Sequence, residues 1–308
     1  MRLLIVGAGA TGGYFGARLA HAGRDVTFLV RPNRAEKLRR TGLQVVSPHG
    51  DLTIQPQLMT ADAINTYFDI VLLTVKSFQL DAALTDLRPA IGPETMILPV
   101  LNGMRHMDIL TEQFSSDNVL GCALTIATTQ DESGRIIQLT SLQDPSYGEL
   151  GGQMTPRILA LHAFMQGAGF TPRLSTEILL EMWQKWTLLA SIGAINCLMR
   201  GNIGEVEAAP GGATFALDIL GEVTSVIGAA GKAPSEAFLV AARGQITAKG
   251  SSLTSSMYRD LQRGLPVEAE SIVGDLVRLG QKAQIATPLL ATAYTHLNVY
   301  QGKVLNER

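Results

Sequence analysis

The sequence is short of charge, aromatics and cysteine. Of its 308 residues, 17% are Asp, Glu, Lys or Arg, 6% are Phe, Trp or Tyr, and two are Cys. A typical domain carries about 25% charged residues. A chain below that level with 46% hydrophobic residues is not intrinsically disordered and has a large core to bury. The 27 acids and 25 bases leave a net charge of −2, without the basic excess of a nucleic-acid binder. Cys122 and Cys197 form no CxxC pair, and His21, His49, His106, His162 and His296 never fall at metal-ligand spacing. That excludes a disulfide framework and a structural zinc site and leaves buried, reduced thiols as the reading.

Other signatures are missing too. There is no GxSxG nucleophile elbow and no HExxH helix. Residues 228–233 approach a phosphate-binding P-loop, but Val226 replaces its first glycine and Ala233 its hydroxyl residue. No charged segment followed by an apolar stretch and a cleavage site opens the chain. The longest uncharged apolar run, residues 186–199, is shorter than the ~20 residues that span a bilayer. The expectation is a soluble cytoplasmic protein with no membrane and no nucleic-acid partner.

What is present begins at once. Residues 3–6 are apolar and strand-like, and Gly7-Ala8-Gly9-Ala10-Thr11-Gly12-Gly13 follows. Residues 14–22 read as a helix with Phe15, Leu19 and Ala22 on one face, and residues 25–30 as a second strand. Strand, glycine turn, helix and strand in that order are the dinucleotide-binding fingerprint. Gly7 permits the turn, Gly9 lets backbone approach a pyrophosphate, and Gly12 lets helix and strand pack closely. The segment Gly7, Gly9, Ala10, Thr11 and Gly12 is thus the candidate cofactor loop, with the helix start supplying N–H groups to the phosphates. At the end of the second strand, where an NAD site places an acid, this chain has Arg31. An arginine there pairs with a 2′-phosphate, so the cofactor expected is NADP(H).

Alternation continues. Residues 42–46 and 52–54 read as a hairpin, 68–75 and 96–101 as strands, 80–87 as a helix, and 119–129 and 135–139 as strands. Lys76 and Asn102 follow strand ends, where open α/β sheets bind ligands. Near residue 172 the pattern turns helical, with helices read at 178–199, 213–231, 235–249, 256–263, 266–284 and 288–301. Pro266 and Pro288 suit first helical turns. The fold class expected is α/β, a Rossmann-type dinucleotide-binding domain over residues 1–172 followed by an all-α domain over residues 173–308.

Lys185 is the last charge before the apolar run. It reads either as an i,i+4 partner of Glu181 or as a proton donor to a ketone oxygen that gains charge on hydride addition. Glu268 and Glu270 read as first-turn carboxylates behind Pro266, favourable to the helix dipole. Ser255 and Ser256 read as helix caps. The apolar run itself reads as an interdomain core or as a helical homodimer contact.

Taken together, Gly7-x-Gly9-Ala10-x-Gly12-Gly13, Arg31, Thr74-Val75-Lys76-Ser77, Leu101-Asn102-Gly103-Met104, Met182-Trp183-Gln184-Lys185, Ser255-Ser256-Met257-x-x-Asp260 and Glu268 make the whole chain resemble the ketopantoate (2-dehydropantoate) 2-reductase family. The resemblance implies NADPH-dependent reduction of a 2-oxo acid. It implies Lys185 as general acid, Glu268 completing the catalytic set, Ser256 on the substrate carboxylate, Asn102 at the cofactor–substrate junction, Lys76 near the cofactor and Arg31 on the 2′-phosphate. Leu189 and Gly193 depart from it, standing where such proteins usually carry substrate-facing asparagines. That departure leaves open a reductase of a different 2-oxo acid, or a non-catalytic NADP(H) sensor on the same fold. If Arg31 reads the 2′-phosphate, Arg31→Asp raises the KM for NADPH far more than that for NADH in steady-state assays; equal effects on both would remove the assignment.

Overall fold

The computed structural model describes residues 1–306. The chain groups into two compact units, Met1–Leu101 with His106–Leu179, and Asn102–Arg105 with the chain from Leu180 onward.

In the first unit, β1 (Arg2–Val6), β2 (Asp25–Leu29), β5 (Gln57–Met59), β6 (Ile70–Leu73) and β7 (Met96–Pro99) form a parallel sheet of order β5-β2-β1-β6-β7. These strands are near-continuous apolar runs because both faces of a parallel sheet are covered. The helices are α1 (Ala10–His21), α2 (Pro32–Thr41), α3 (Leu80–Leu87), α4 (Arg105–Phe114) and α5 (Pro156–Met165). The hairpin read at 42–54 is present as antiparallel β3 (Leu43–Val46) and β4 (Leu52–Ile54), but it belongs to a second sheet. That sheet also holds β8 (Leu120–Gln130), β9 (Ile136–Glu149) and the short β10 (Arg173–Leu174). The strand expected at 135–139 continues to Glu149, paired antiparallel with β8 across a register shift between Ile126 and Thr128. Its polar, Pro-containing second half shows no sequence alternation and is held by the partner strand instead.

Helix α1 is enclosed between the two sheets. A Cβ on Gly16 would stand 2.5 Å from Phe28 Cε1 and 3.1 Å from Ile5 Cγ1, on the parallel sheet. One on Gly13 would collide with Ile136 Cδ1 of the second sheet. The glycines therefore set how closely the layers approach. Arg18, buried on the same helix, donates from Nη2 to Ser47 Oγ (2.9 Å) and the Gly50 carbonyl (2.8 Å), tying α1 to the loop between β3 and β4.

The second unit is helical, as expected, with α6 (Ile178–Met199), α7 (Ile203–Ala208), α8 (Gly212–Ala229), α9 (Glu236–Ile246), α10 (Ser256–Gln262), α11 (Asp275–Lys282) and α12 (Pro288–Asn306). Asn202 starts α7 with a capping box to Glu205. Helix α8 is long and apolar enough to cross a membrane by length and composition, but it packs on α7, α9, α11 and α12. Its Glu222 accepts from the backbone N–H groups of Leu289 and Leu290 at the start of α12, each at 2.9 Å.

One helical expectation fails. The helix read at 266–284 does not begin at Pro266. Residues 265–268 are irregular, and the Val267 N–H there donates to Gln301 Oε1 of α12 (2.9 Å). Helical structure starts at Ala269 and passes through a π-helical segment, Glu270–Gly274, before α11.

Because Gly16 leaves no room for a methyl group beside Phe28, Gly16→Ala should cost about 1–3 kcal/mol. The cost would appear as a lower urea midpoint at unchanged m-value.

Candidate active site

On the first unit, the features that fit a dinucleotide surround the turn from β1 into α1. Gly7 has φ +99°, a conformation that L side chains rarely adopt. Gly12 has no space for a Cβ, which would strike Thr74 Oγ1 and the Gly7 carbonyl. Thr74, at the end of β6, fixes the turn by donating to the carbonyls of Val6 (2.9 Å) and Gly7 (3.0 Å). A Cβ on Gly9, by contrast, would meet nothing within 4 Å. Gly9 is the N-cap of α1, with no side-chain cap and no acid in the first turn. Ala10 and Thr11 follow it, half-buried. An uncapped helix start beside open space, free of carboxylates, fits a pyrophosphate.

Arg31 is exposed and occupies the N-cap position of α2. Lys76 is half-buried at the start of a 3-10 turn after β6, its carbonyl accepting from the Gln79 N–H (2.8 Å). Sequence reasoning missed Arg34, three residues beyond Arg31, whose Nη2 donates to the Ala8 carbonyl of the glycine turn (3.3 Å). It missed Gln130 at the end of β8, whose Nε2 donates to the same carbonyl (3.4 Å). Proline at the first position of α2 was the available signal for Arg34. The helix behind it has only Ala35 and Leu38 buried.

On the second unit, Asn102 and Glu268 meet although they lie far apart in sequence. Asn102 Nδ2 donates to Glu268 Oε2 at 3.2 Å. Glu268 is 4% exposed. It stands one residue before the helix, at its start, with its carbonyl accepting from the Ile272 N–H (3.1 Å), and Glu270 lies in the first turn. Gly103, at φ +82°, lies so close to the π-helical segment that a Cβ would strike the Ser271 carbonyl. This approach brings the 102–105 loop against Glu268's segment. Glu270 has a different task. It pairs with Arg278 Nη1 (2.6 Å) and accepts from the Tyr294 hydroxyl. Asp275 takes Arg278 Nη2 (2.5 Å), and burial pushes its carboxyl above the ordinary value.

The serine pair also divides. Ser255 is the cap, its Oγ accepting from the Tyr258 N–H at 3.0 Å. Ser256 is the first residue of α10 and not a cap; its half-buried hydroxyl bonds to no protein group among the described residues. Lys185 lies half-buried on α6 beside Trp186, whose Nε1 donates to the Ile272 carbonyl at 3.0 Å. Carbonyls displaced from α-helical pairing are a feature of π segments, which recur at functional sites. Farther along α6, Leu189 is half-buried and Gly193 buried, and a Cβ on Gly193 would stand 2.9 Å from Met257 Cε. The polar side chains of this stretch bond to backbone: Thr187 Oγ1 to the Trp183 carbonyl, Ser191 Oγ to that of Thr187 and Asn196 Nδ2 to that of Gly201. Burial pushes the Cys197 thiol up to about 12, so it stays protonated.

Residues 3–152 match the family described as ketopantoate reductase PanE/ApbA, and residues 177–301 match its C-terminal part. The chain belongs to the ketopantoate reductase family. Within that family it is similar to YkpB of Bacillus subtilis, an uncharacterised oxidoreductase, at 33% identity over 98% of this chain and 100% of that one. It is 27% identical to a 2-dehydropantoate 2-reductase of Halobacterium salinarum, over 95% of this chain and 96% of that one. A ternary structure of D-mandelate dehydrogenase with NADH and anilino(oxo)acetate shares its fold, with a TM-score of 0.89 at 19% identity over 99% and 100% of the two chains. Membership makes this chain an oxidoreductase of the ketopantoate reductase family.

The two glycines near the site should respond differently to alanine. Gly103→Ala meets backbone at a positive φ and should cost about 2 kcal/mol or more. Gly193→Ala meets only the flexible end of Met257 and should cost less than about 1 kcal/mol. Urea denaturation of both variants checks the contrast.

Proposed function

We propose that the chain reduces a 2-oxo acid with NADPH, with 2-dehydropantoate, the substrate in the family's name, converted to pantoate. The observation that carries this reading is the Asn102–Glu268 hydrogen bond. It joins two residues that the resemblance assigns to one substrate site and that the sequence leaves far apart. When bound, the nicotinamide supplies a hydride to the carbonyl carbon. The chain's own residues do the rest. Lys185 holds its ammonium to the carbonyl oxygen and gives it a proton as negative charge develops there. The Ser256 hydroxyl, with no protein partner among the described residues, donates to the substrate carboxylate. Asn102 fixes Glu268, which orients the substrate as a buried acceptor. Gly7, Gly9, Ala10, Thr11 and Gly12 hold the pyrophosphate, with Lys76 and Asn102 bordering the cofactor and Arg31 at its 2′-phosphate side. The reaction needs only small diffusible partners and suits the cytoplasm.

A second reading concerns the substrate alone. Past Lys185 the helix offers Leu189 and a Gly193 covered by Met257, while Thr187, Ser191 and Asn196 are committed to backbone. A wall without free polar groups favours a 2-oxo acid whose side chain carries no hydroxyl.

NADPH oxidation with 2-dehydropantoate and with alkyl and aryl 2-oxo acids tests both readings. Turnover of 2-dehydropantoate supports the first, and preference for the apolar acids supports the second. Tight NADPH binding with no turnover on any of them removes the enzyme reading in favour of a sensor. Lys185→Ala should lower kcat by about 10²–10⁴ and leave NADPH affinity nearly intact; wild-type turnover in that variant would refute the role.

A further inference from the structure

The first unit brings two cations together with no ion pair to either among the described residues. Arg34 and Lys37 lie one turn apart on α2, facing the turn between β8 and β9. A Cβ on Gly134 in that turn would stand 3.2 Å from Arg34 Nη1 and 3.0 Å from Lys37 Nζ, so both charged heads border one point. Of the turn's two carboxylates, Glu132 is exposed and pairs with neither cation, and Asp131 is already engaged. Asp131 takes Arg135 Nε at 2.7 Å and the Arg135 backbone N–H at 2.8 Å. Among the described residues no ion pair joins Arg34 or Lys37 to a carboxylate. Like charges held together repel, and the cost grows as water is excluded. An arrangement of this kind is stable where an anion completes it.

Arg34 is the better placed of the two. It is half-buried, and burial alone pushes its guanidinium below the ordinary value, with no carboxylate opposing that shift. Its Nη2 is anchored on the Ala8 carbonyl, between Gly7 and Gly9. One carbonyl uses one of five N–H donors. The rest of the fork is held in a fixed place beside the glycine turn, and Arg31 by contrast is exposed at the helix cap.

We propose that Arg34, assisted by Lys37, is the principal reader of the adenosine 2′-phosphate, and that Arg31 is an auxiliary contact. The inference rests on the NADP(H) reading above. A half-buried, anchored guanidinium makes charge-assisted, bidentate bonds to a phosphate monoester. An exposed one at the same range is screened by salt.

The test compares 2′,5′-ADP with 5′-AMP, which differ by that phosphate, using titration calorimetry on the full chain. Arg34→Gln removes the charge but keeps an amide able to donate to the Ala8 carbonyl. It should weaken 2′,5′-ADP by about tenfold or more and change 5′-AMP by less than about twofold. Lys37→Gln and Arg31→Gln should each lose less than Arg34→Gln. If Arg34→Gln keeps the wild-type preference for 2′,5′-ADP, weakens both nucleotides equally, or is exceeded by Arg31→Gln, the inference is overturned while the NADP(H) reading stands. If the wild-type chain itself binds both nucleotides alike, the cofactor reading fails and this inference with it. Thermal melts of each variant separate lost binding from lost folding.

Discussion

The close approach of α1 to both sheets constrains everything else in the first unit. Gly16 lies against Phe28 on one side and Gly13 against Ile136 on the other. At the head of the helix, Gly12 leaves just enough room for Thr74 to hold the carbonyls of Val6 and Gly7. Interiors are packed too densely to absorb an added methyl without moving something. Gly9, which packs against nothing, leaves the first turn of the seated helix uncapped beside open space, so the helix start presents an anion-binding surface. Arg34 and Gln130 reach the Ala8 carbonyl from α2 and β8, so the second sheet also supports the turn.

The second unit depends on an irregularity. The π-helical segment at Glu270–Gly274 is anchored on one side by Trp186 Nε1 on the Ile272 carbonyl and on the other by the Glu270–Arg278–Asp275 group and Tyr294. These contacts occupy Glu270 and leave Glu268, just upstream, buried and turned to Asn102. Two acids two residues apart thereby acquire different chemistry. One neutralises an arginine on a structural helix; the other is a buried acceptor beside a loop with a positive-φ glycine. The apolar stretch after Lys185 has a parallel logic. Its polar side chains are spent on local backbone bonds, which keeps a long helix buried without unsatisfied groups.

Legibility followed the strength of the local pattern. The apolar strands of the parallel sheet and helix α6 were readable as unbroken apolar runs told apart by length, and helix α3 by its hydrophobic period. Helix α2 was not, because half of its residues are charged and only two side chains are buried, and the tail of β9 was not, because its pairing with β8 holds a polar segment extended. Pro266 misled for a related reason. Proline permits a helix start without enforcing one, and Gln301 from a distant helix claims the next N–H.

By itself, then, the sequence determined the class of the fold, the glycine turn and the residue types available for chemistry. Those depend on local period and on steric demands that a few neighbouring residues express. Only the tertiary structure decided which of two serines caps and which keeps its hydroxyl, which of two glutamates is buried against Asn102, and which cation on α2 touches the glycine turn. Each of those choices is made by a partner remote in the chain, and side-chain hydrogen bonds and burial across such distances leave no periodic trace in the sequence.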